Sequence, residues 1–338
     1  ITKTHTGPDS GTIDLDGTVI TYSGLEPVDI TGTTATNLVI NLTSAVDDTS
    51  FFVSGGNLVV TSNNGSHEND VISLAGVQSV TINAGDSNDL LSFGDLGAAF
   101  PALTINGEGG VDSVVFMNSA NFTIGTGNLT IHSESVNIAG GSITAGGSSG
   151  TILLSSSGVG FFLGAGSITS GFGGLTLGGD VFVDATASGS TIAGGAINLN
   201  GSRTFTINDG GSDPDLTIAA DIQGGSFTKN GAGQLAVSGS VNVASLNIDV
   251  GNATLAAGFS SNGLRVGFTN TNTAATANLT VTGGAVNVGT GSEFVHIGLR
   301  SGAGTTGVVN ATANFAAASS VVMNVAELRV AYNDNAGA

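Results

Sequence analysis

Two segments of the chain are close copies of each other, and their spacing restricts the possible folds more than any other feature. TINAGDSNDLLSF, at residues 81–93, aligns without a gap on TINGEGGVDSVVF, at residues 104–116. Each copy is a short apolar strand, a turn rich in Asn, Gly or Asp, and a second short strand. A period of about 20–25 residues made only of strands and turns is typical of a parallel β-helix, or β-solenoid.

The repeat also predicts which side chains stack. One coil cannot bury its apolar face alone, so it lies on the next coil at a spacing of about 4.8 Å. Equivalent residues should then form columns, with Ile82 over Ile105 and Phe93 over Phe116. Looser relatives of the repeat flank the pair at residues 57–74 and 122–141, and we expect them to form coils of the same kind.

The composition agrees with an all-β fold. Gly accounts for 55 of the 338 residues, only 9% are charged and 40% are hydrophobic. Val, Ile, Thr and Gly are plentiful, whereas helix-forming Lys, Glu and Arg are scarce. The chain has 16 Phe but two Tyr and no Trp, which suits an interior of stacked rings. Strand alternation predicts that Phe51–Phe52 and Phe161–Phe162 each place one ring inside and one outside.

The charge excludes several classes of partner. Six basic residues against 25 acidic ones give a net charge of −19, and no Lys or Arg stands between Lys3 and Arg203. Nucleic acids need a basic surface, so we expect no nucleic-acid partner. No apolar run is long enough for a transmembrane helix, so we expect no membrane insertion. The absence of Cys fits an exported protein.

A second repeat occupies the C-terminal part, where LRVGF begins at Leu264, VHIGL at Val295 and LRVAY at Leu328. The third copy breaks off at Ala338, which predicts that the chain is part of a longer protein. We therefore predict an irregular entry section at residues 1–50, followed at 51–260 by coils of about 20–25 residues. Longer repeats of about 31–33 residues, truncated at the C-terminus, should occupy 261–338.

A resemblance to a known repeat lies just before that region. In FTKNGAGQLAVSG a lysine is followed by alternating glycines and apolar residues, and NATL follows some way on. This segment resembles the autotransporter-associated β-strand repeat of large exported bacterial surface proteins. The matching positions are Lys229, Gly231, Gly233, Leu235, Val237, Gly239 and Asn252 to Leu255. The resemblance implies a right-handed parallel β-helix, export to the cell surface or medium, and a structural or adhesive role.

The first repeat also contains a possible cation site. Residues 84–92 resemble one unit of the calcium-binding nonapeptide, and stacking would place Asp89 over Asp112. Two stacked carboxylates repel each other unless a cation or a proton lies between them. The candidate structural calcium site is Asp89 and Asp112, with Asp86 and Glu108 as auxiliary ligands. Turn chemistry is nevertheless the favoured interpretation, in which these side chains face solvent and cap turns, and we expect no cofactor.

Catalytic constellations are weaker. Parallel β-helices also include polysaccharide lyases and glycosidases, which use clustered carboxylates with a basic residue. Arg203 beside the loop of Asp209, Asp213 and Asp215 is the clearest such cluster, although Asp-Gly and Asp-Pro steps are also ordinary turn chemistry. The four His residues stand far from one another in the sequence, so no metal-ligand spacing is present.

These observations favour a non-catalytic extracellular structural or adhesive protein: a rod-like stalk, an adhesin or a filament subunit of a bacterial surface. Its partners would be copies of itself stacked end to end or neighbouring repeats of the same long protein, with a host or cell-surface ligand also possible. The alternative is a polysaccharide-degrading β-helix enzyme.

Overall fold

The computed structural model shows an all-β chain, with no helix in the described residues. The chain divides into two compact units, Ile1–Gly179 and Asp180–Ala338. The described residues also contain no helix that could cross a membrane. The structure describes residues 1–25, 27–32, 34–117, 121–124, 128–133, 135–138, 142–145, 151–155, 160–163, 167–170, 174–177, 179–183, 185, 189–301 and 306–334.

The first unit contains short strands. They are β1 (Thr2–Gly7), β2 (Ser10–Leu15), β3 (Thr18–Ser23), β4 (Val28–Ile30), β5 (Asn37–Asn41), β6 (Asp48–Ser54), β7 (Asn57–Ser62), β8 (Asp70–Ser73), β9 (Ser79–Asn83), β10 (Leu90–Phe93), β11 (Gly97–Phe100), β12 (Ala102–Asn106), β13 (Ser113–Phe116), β14 (Asn121–Ile124), β15 (Leu129–His132), β16 (Ser135–Ile138), β17 (Ser142–Ala145), β18 (Thr151–Ser155), β19 (Gly160–Leu163), β20 (Ser167–Thr169) and β21 (Gly174–Leu177).

The second unit contains longer strands as well. They are β22 (Val181–Val183), β23 (Ser190–Ala193), β24 (Ile197–Asn198), β25 (Arg203–Ile207), β26 (Leu216–Ala219), β27 (Ile222–Asn230), β28 (Gln234–Val237), β29 (Val241–Ile248), β30 (Gly251–Leu255), β31 (Gly258–Thr269), β32 (Ala275–Val281), β33 (Ala285–Val288), β34 (Phe294–Ser301), β35 (Val309–Asn314), β36 (Ser320–Met323) and β37 (Glu327–Asp334).

The first unit is organised by parallel ladders. One ladder runs β5–β9–β12–β15–β18–β21, a second runs β6–β10–β13–β16–β19, and a third runs β11–β14–β17–β20. From β9 to β18, each strand pairs with the strand three places later in the chain. Three strands and their turns therefore form one structural repeat, and successive repeats lie in parallel register.

The beginning of this unit departs from that pattern. Strands β1, β2 and β3 form an antiparallel meander, and β1 also pairs in parallel with β5. Strands β6, β7 and β8 form a second antiparallel meander. The expectation that residues 57–74 form a coil like their neighbours is therefore wrong, because β7 folds back on β6 through the tight turn at Gly55 and Gly56. Both glycines have positive φ, at 59° and 81°.

The second unit repeats the ladders with longer strands. Strand β27 joins two ladders, because its first half pairs with β24 and its second half with β25, and β29 pairs with β27 and with β31 along nearly its whole length. Likewise, the first half of β31 pairs with β33 and its second half pairs with β34. Leu264 pairs with Val295, and Val295 with Leu328, so the alignment predicted for the three copies of the second repeat is confirmed.

Columns of like side chains fill the core, as the repeat predicts. Ile82 pairs with Ile105, and both are buried. The ring of Phe93 stacks on the rings of Phe51 and Phe116, with centroid distances of 4.9 Å and 5.3 Å. Phe52 is 38% exposed beside the buried Phe51, which confirms the alternation predicted for that pair. The side chains of Phe161 and Phe162 lie outside the described residues.

Polar side chains form a column of their own on a neighbouring face. The amide of Asn106 donates to Asn83 at 2.8 Å, Asn83 donates to Asn41 at 2.7 Å, and Asn41 donates to the hydroxyl of Thr4 at 3.0 Å. Amide side chains suit this arrangement because each has both a donor and an acceptor to offer its neighbours. The all-β prediction is thus confirmed. The chain divides into its compact units after Gly179, and the repeat boundaries predicted near residues 50 and 260 stay predictions.

The Phe column should carry much of the stability of the first unit. Replacing Phe93 by Ala removes the middle ring, so we expect the free energy of unfolding of this unit to fall by about 3–5 kcal/mol. Denaturant unfolding followed by circular dichroism measures the change. Phe52→Ala is the matched control, and its half-exposed ring should cost less than about 1 kcal/mol. Equal losses for the two variants would contradict the assignment of the column.

Candidate functional site

Three buried aspartates stand at one corner of the first unit, where β6, β10 and β13 begin. Asp47, Asp89 and Asp112 each come directly before the paired positions of these strands. Their side chains are 0%, 2% and 1% exposed. The predicted position of Asp89 over Asp112 is therefore correct, and the column has a third member in Asp47.

Backbone amides hold these carboxylates. Asp112 Oδ1 accepts the backbone N–H of Asp89 at 2.9 Å, and Asp89 Oδ1 accepts that of Asp47 at 2.7 Å. Asp47 Oδ2 in turn accepts the backbone N–H and the hydroxyl of Thr43, at 2.9 Å and 3.0 Å. Each aspartate thus satisfies an amide that the turn would otherwise leave buried without a partner.

The other two predicted ligands lie further out. Asp86 and Glu108 are both exposed, and Asp86 forms an isolated parallel bridge with Gly109. Glu108 has a φ of 68°, a left-handed turn conformation. The structure thus separates the predicted set into a buried pair and an exposed pair. Calcium binding at these four residues stays a hypothesis.

The electrostatics of the column differ from those of an isolated carboxylate. Burial raises the pKa of Asp89 to about 6, and repulsion by Asp47 and Asp112 adds to the effect, although the bond from the N–H of Asp47 opposes it. Asp89 Oδ2 has no hydrogen-bond partner. Without a cation, the column is therefore most stable when Asp89 carries a proton.

A second buried cluster joins β1 to β8. Lys3 and His5 point inward from β1, and Glu68 and Asp70 point inward from the start of β8, all with fully buried side chains. Lys3 Nζ contacts Glu68 Oε1 and lies 3.3 Å from Asp70 Oδ1. His5 Nδ1 lies 3.2 Å from Glu68 Oε2, and His5 Nε2 lies 3.1 Å from Asp70 Oδ2. Two basic groups thus face two carboxylates in the core.

Neighbouring side chains complete this cluster. The hydroxyl of Tyr22 contacts Lys3 Nζ, which also lies 4.2 Å from the centre of the Tyr22 ring. The ring of His67 lies 4.4 Å from that of His5. His67 Nδ1 donates to the carbonyl of Glu68 at 2.7 Å, so its Nε2 accepts the hydroxyl of Thr49 at 2.8 Å.

The pKa shifts follow from these contacts. Burial disfavours charge on His5, but hydrogen bonds to Asp70 and Glu68 outweigh it and raise the pKa of His5 above its ordinary 6.5. Burial also opposes the charge of Glu68, yet bonds from His5 and Lys3 lower its pKa. Burial and the nearby positive His5 lower the pKa of His67, which keeps that ring neutral.

Sequence reasoning missed this cluster because its two halves are far apart in the chain, with Lys3 and Glu68 separated by 65 positions. The available signal was alternation: TKTHTG and HEND each place two charged residues at positions i and i+2, which lie on the same face of a strand. Charged pairs on the core-facing side of a strand would have indicated a buried cluster. However, nothing in the sequence shows that TKTHTG and HEND lie next to each other.

Two groups of three possible metal ligands occur in the described residues: His5 with Glu68 and Asp70, and Asp209 with Asp213 and Asp215. Within each group the ligand atoms lie within 4.8 Å of one another. In the first group the ammonium of Lys3 already lies against both carboxylates, so we interpret these side chains as a buried ion-pair cluster and not as metal ligands. The second group is the loop near Arg203 that the sequence indicated, and the structure brings its three carboxylates together. In this loop Asp209 and Asp213 are exposed.

That loop is bound mostly to backbone. Asp215 Oδ1 accepts the N–H of Gly210 at 2.8 Å, and Asp215 Oδ2 accepts that of Gln234 at 2.7 Å. The guanidinium of Arg203 donates to the carbonyls of Asn200 and Ser202, at 2.7 Å and 3.1 Å. These contacts are typical of a carboxylate and a guanidinium that hold turns in place.

The repeat-like segment has a similar buried charge. Lys229 is fully buried, and its ammonium donates to the carbonyls of Gly231 and, at 2.8 Å, of Val250. Burial lowers the pKa of Lys229 to about 8, while Asp215 opposes the shift. Gly251 has a φ of 81°, and a Cβ there would collide with Lys229 Nζ. A Cβ at this position would also collide with the backbone carbonyl of Gly231, so the fold requires glycine there.

Comparisons with protein-family models, with curated proteins and with solved structures give no match to this chain.

The aspartate column gives a test that separates a proton from a cation. The pKa of Asp89, about 6, lies above its ordinary 3.8. Its contribution to stability is therefore fully present below pH 3.8 and is lost as pH rises through about 6. Asp89→Asn keeps an acceptor for Asp47 and removes the charge, so we expect it to raise the free energy of unfolding at neutral pH by about 1–2 kcal/mol.

Thermal unfolding across this pH range, with and without Ca²⁺, measures the effect. Asp16→Asn, at an exposed aspartate of the same unit outside the candidate site, is the control and should change stability by less than about 0.5 kcal/mol. A bridging cation predicts the opposite sign: Ca²⁺ would stabilise the unaltered chain, and Asp89→Asn would destabilise it and abolish the Ca²⁺ effect.

Proposed function

We propose that the chain is a right-handed parallel β-helix that serves as a non-catalytic structural or adhesive protein outside the bacterial cell. The observation that carries this proposal is the run of parallel ladders in which like residues stack, such as Ile82 on Ile105 and Phe51 on Phe93. Such a fold builds a long, continuous core from short repeats and needs no cofactor to hold it together.

The chemistry of the chain suits an exposed location. The chain has no Cys to be oxidised or reduced, and it has no Lys or Arg between Lys3 and Arg203 where trypsin-like proteases could cut. The basic residues nearest the core are protected, because Lys3 and Lys229 are fully buried. The resemblance of residues 227–258 to an autotransporter-type repeat supports the same location at the cell surface or in the medium.

The final repeat indicates the kind of partner. Leu328 and Val330 continue the columns of Val295 and Ile297, but they are 57% and 64% exposed whereas Val295 is fully buried. Val321 likewise continues the column of the buried Val286 and is 45% exposed. Columns of this kind are completed by one more parallel coil. The proposed partner is therefore a further repeat of the same type, from the same protein or from another copy.

The polysaccharide-degrading alternative rests on the loop near Arg203. Both oxygens of Asp215 already accept backbone N–H groups there. A catalytic carboxylate needs an oxygen that can reach a substrate. Arg203 likewise donates to backbone carbonyls, so the contacts of Asp215 and Arg203 favour the structural role, and Asp209 and Asp213 are the carboxylates of this loop that a substrate could reach.

Association through the exposed columns can be tested by substitution. Leu328→Asp with Val330→Asp places two charges in the surface that a further coil would cover. We expect the unaltered chain to associate with rising concentration in sedimentation equilibrium, and we expect the double variant to remain monomeric. Desolvating two carboxylates is too costly for an apolar contact to survive.

The matched control is Val46→Asp with Val111→Asp, because these residues are 56% and 59% exposed and lie between strands of the other unit, outside the strands β1 to β3 that end-to-end stacking of copies would cover. That variant should associate as the unaltered chain does. A monomeric unaltered chain that depolymerises an acidic polysaccharide, with activity lost in Asp213→Asn, would overturn the structural proposal in favour of the enzyme.

A further inference from the structure

The N-terminal meander, residues 1–23, is attached to the first unit in an unusual way. Its buried residues are Lys3, His5, Gly11 and Tyr22, and none of them is aliphatic. Its largest aliphatic side chains lie elsewhere: Val19 and Ile20 are exposed, and Ile13 and Leu15 are only half-buried. Apart from the buried ring of Tyr22, the hydrophobic effect, which usually holds a strand to a core, therefore contributes little here.

The remaining attachments are hydrogen bonds along one strand edge. Strand β1 pairs with β5 from Thr2 to Thr4, and the N–H of Val39 donates to the carbonyl of Ile1 at 2.9 Å. Such bonds replace bonds to water and are worth about 1 kcal/mol each. The charged cluster is thus the main feature that distinguishes the docked meander from a detached one.

The charge of that cluster depends on one proton. With His5 protonated, Lys3 and His5 balance Glu68 and Asp70, and the buried group is neutral. Without the proton, the same four side chains carry a net charge of −1 in a fully buried site. Two opposite pairs can be tolerated in a core, but an uncompensated buried charge is strongly unfavourable.

We propose that the N-terminal meander is a proton-controlled latch, which stays docked while His5 is protonated and opens when His5 loses its proton. Opening leaves the edge of β5 without its partner β1. An unpaired strand edge can accept a strand from another chain. The latch therefore controls when the first unit offers a second surface for association, and it does not depend on the proposed function.

The pH window follows from the direction of the shift. The pKa of His5 is raised in the folded chain, so the stabilisation is fully present below its ordinary pKa of 6.5 and is lost as pH rises through the higher folded pKa. Around His5, the lowered pKa of Glu68 keeps that group ionised, and the lowered pKa of His67 keeps that ring neutral. Lys3 and Asp70 complete the charged groups that face His5, with Asp47 acting on His67 from further away.

A metal ion is the competing occupant, because ligand atoms of His5, Glu68 and Asp70 lie within 4.8 Å of one another. Charge balance favours the proton. A divalent ion with neutral His5 and Lys3 in place would leave the buried site with a net charge of +1, whereas the protonated cluster is neutral. The ammonium of Lys3 also contacts both carboxylates that the ion would need.

Hydrogen exchange on the full chain tests the latch. Between about pH 6 and about pH 9, we expect the protection factors of β1 and β2 amides, corrected for intrinsic exchange rates, to fall by at least tenfold. The loss of one proton can change the opening equilibrium by up to about tenfold per pH unit. Protection of β9 and β12 should stay constant. Proton NMR should show the ring of His5 titrating with the same midpoint as the opening.

Glu68→Gln is the decisive variant. It leaves Lys3 and Asp70 to balance each other when His5 is neutral, so the protection of β1 should change by less than about threefold over the same range. His132→Gln, at an exposed histidine of the same unit, is the matched control and should open as the unaltered chain does. If Glu68→Gln does not fold, the exchange and His5 titration of the unaltered chain decide the matter.

Three results would overturn the proposal: constant protection of β1 across this range, opening that also occurs in β9, or an opening midpoint that differs from the His5 titration. Opening caused by EDTA and reversed by Zn²⁺ would assign the cluster to a metal instead.

Discussion

Backbone hydrogen bonding between parallel strands in register is the constraint on which the rest of this structure depends. It places each residue directly beside its equivalent in the next strand of the ladder, about 4.8 Å away. Residues that gain from contact with their own kind therefore stabilise this arrangement. Phe51, Phe93 and Phe116 gain from it because nearly parallel rings at centroid distances of 4.9 Å and 5.3 Å form favourable stacks. Asn41, Asn83 and Asn106 gain because an amide both donates and accepts.

Stacking brings like charges close together, where they repel each other, and the first unit avoids this repulsion in two ways. In the aspartate column, Asp112 and Asp89 each accept the backbone N–H of the next aspartate. Burial and the neighbouring carboxylates raise the pKa of Asp89, which favours its protonated form. In the second cluster, opposite charges come from strands that are not ladder neighbours, as with His5 and Asp70. Both solutions depend on protonation, so unit stability and the docking of the N-terminal meander respond to pH.

Sequence comparison predicted the stacking of residues 81–93 on 104–116 because the copies have equal length and no gap. It missed Asp47 because 42 positions separate Asp47 from Asp89, as the antiparallel strands β7 and β8 lie between them. It missed the Lys3–Glu68 contact for a related reason: antiparallel strands join segments that share no repeat. The buried Lys229 was found only through its motif, and its partners are backbone carbonyls that no sequence pattern reveals.

Disulfide trapping tests the parallel register most directly, since the chain has no Cys of its own. Thr81 pairs with Thr104, which pairs with Thr130, and all three side chains are half-buried. A disulfide needs Cα atoms about 4.4–6.8 Å apart, which only adjacent coils provide. Thr81→Cys with Thr104→Cys should crosslink readily within one chain, and Thr81→Cys with Thr130→Cys should not. Crosslinking of the second pair, or of neither pair, would contradict the stacked register.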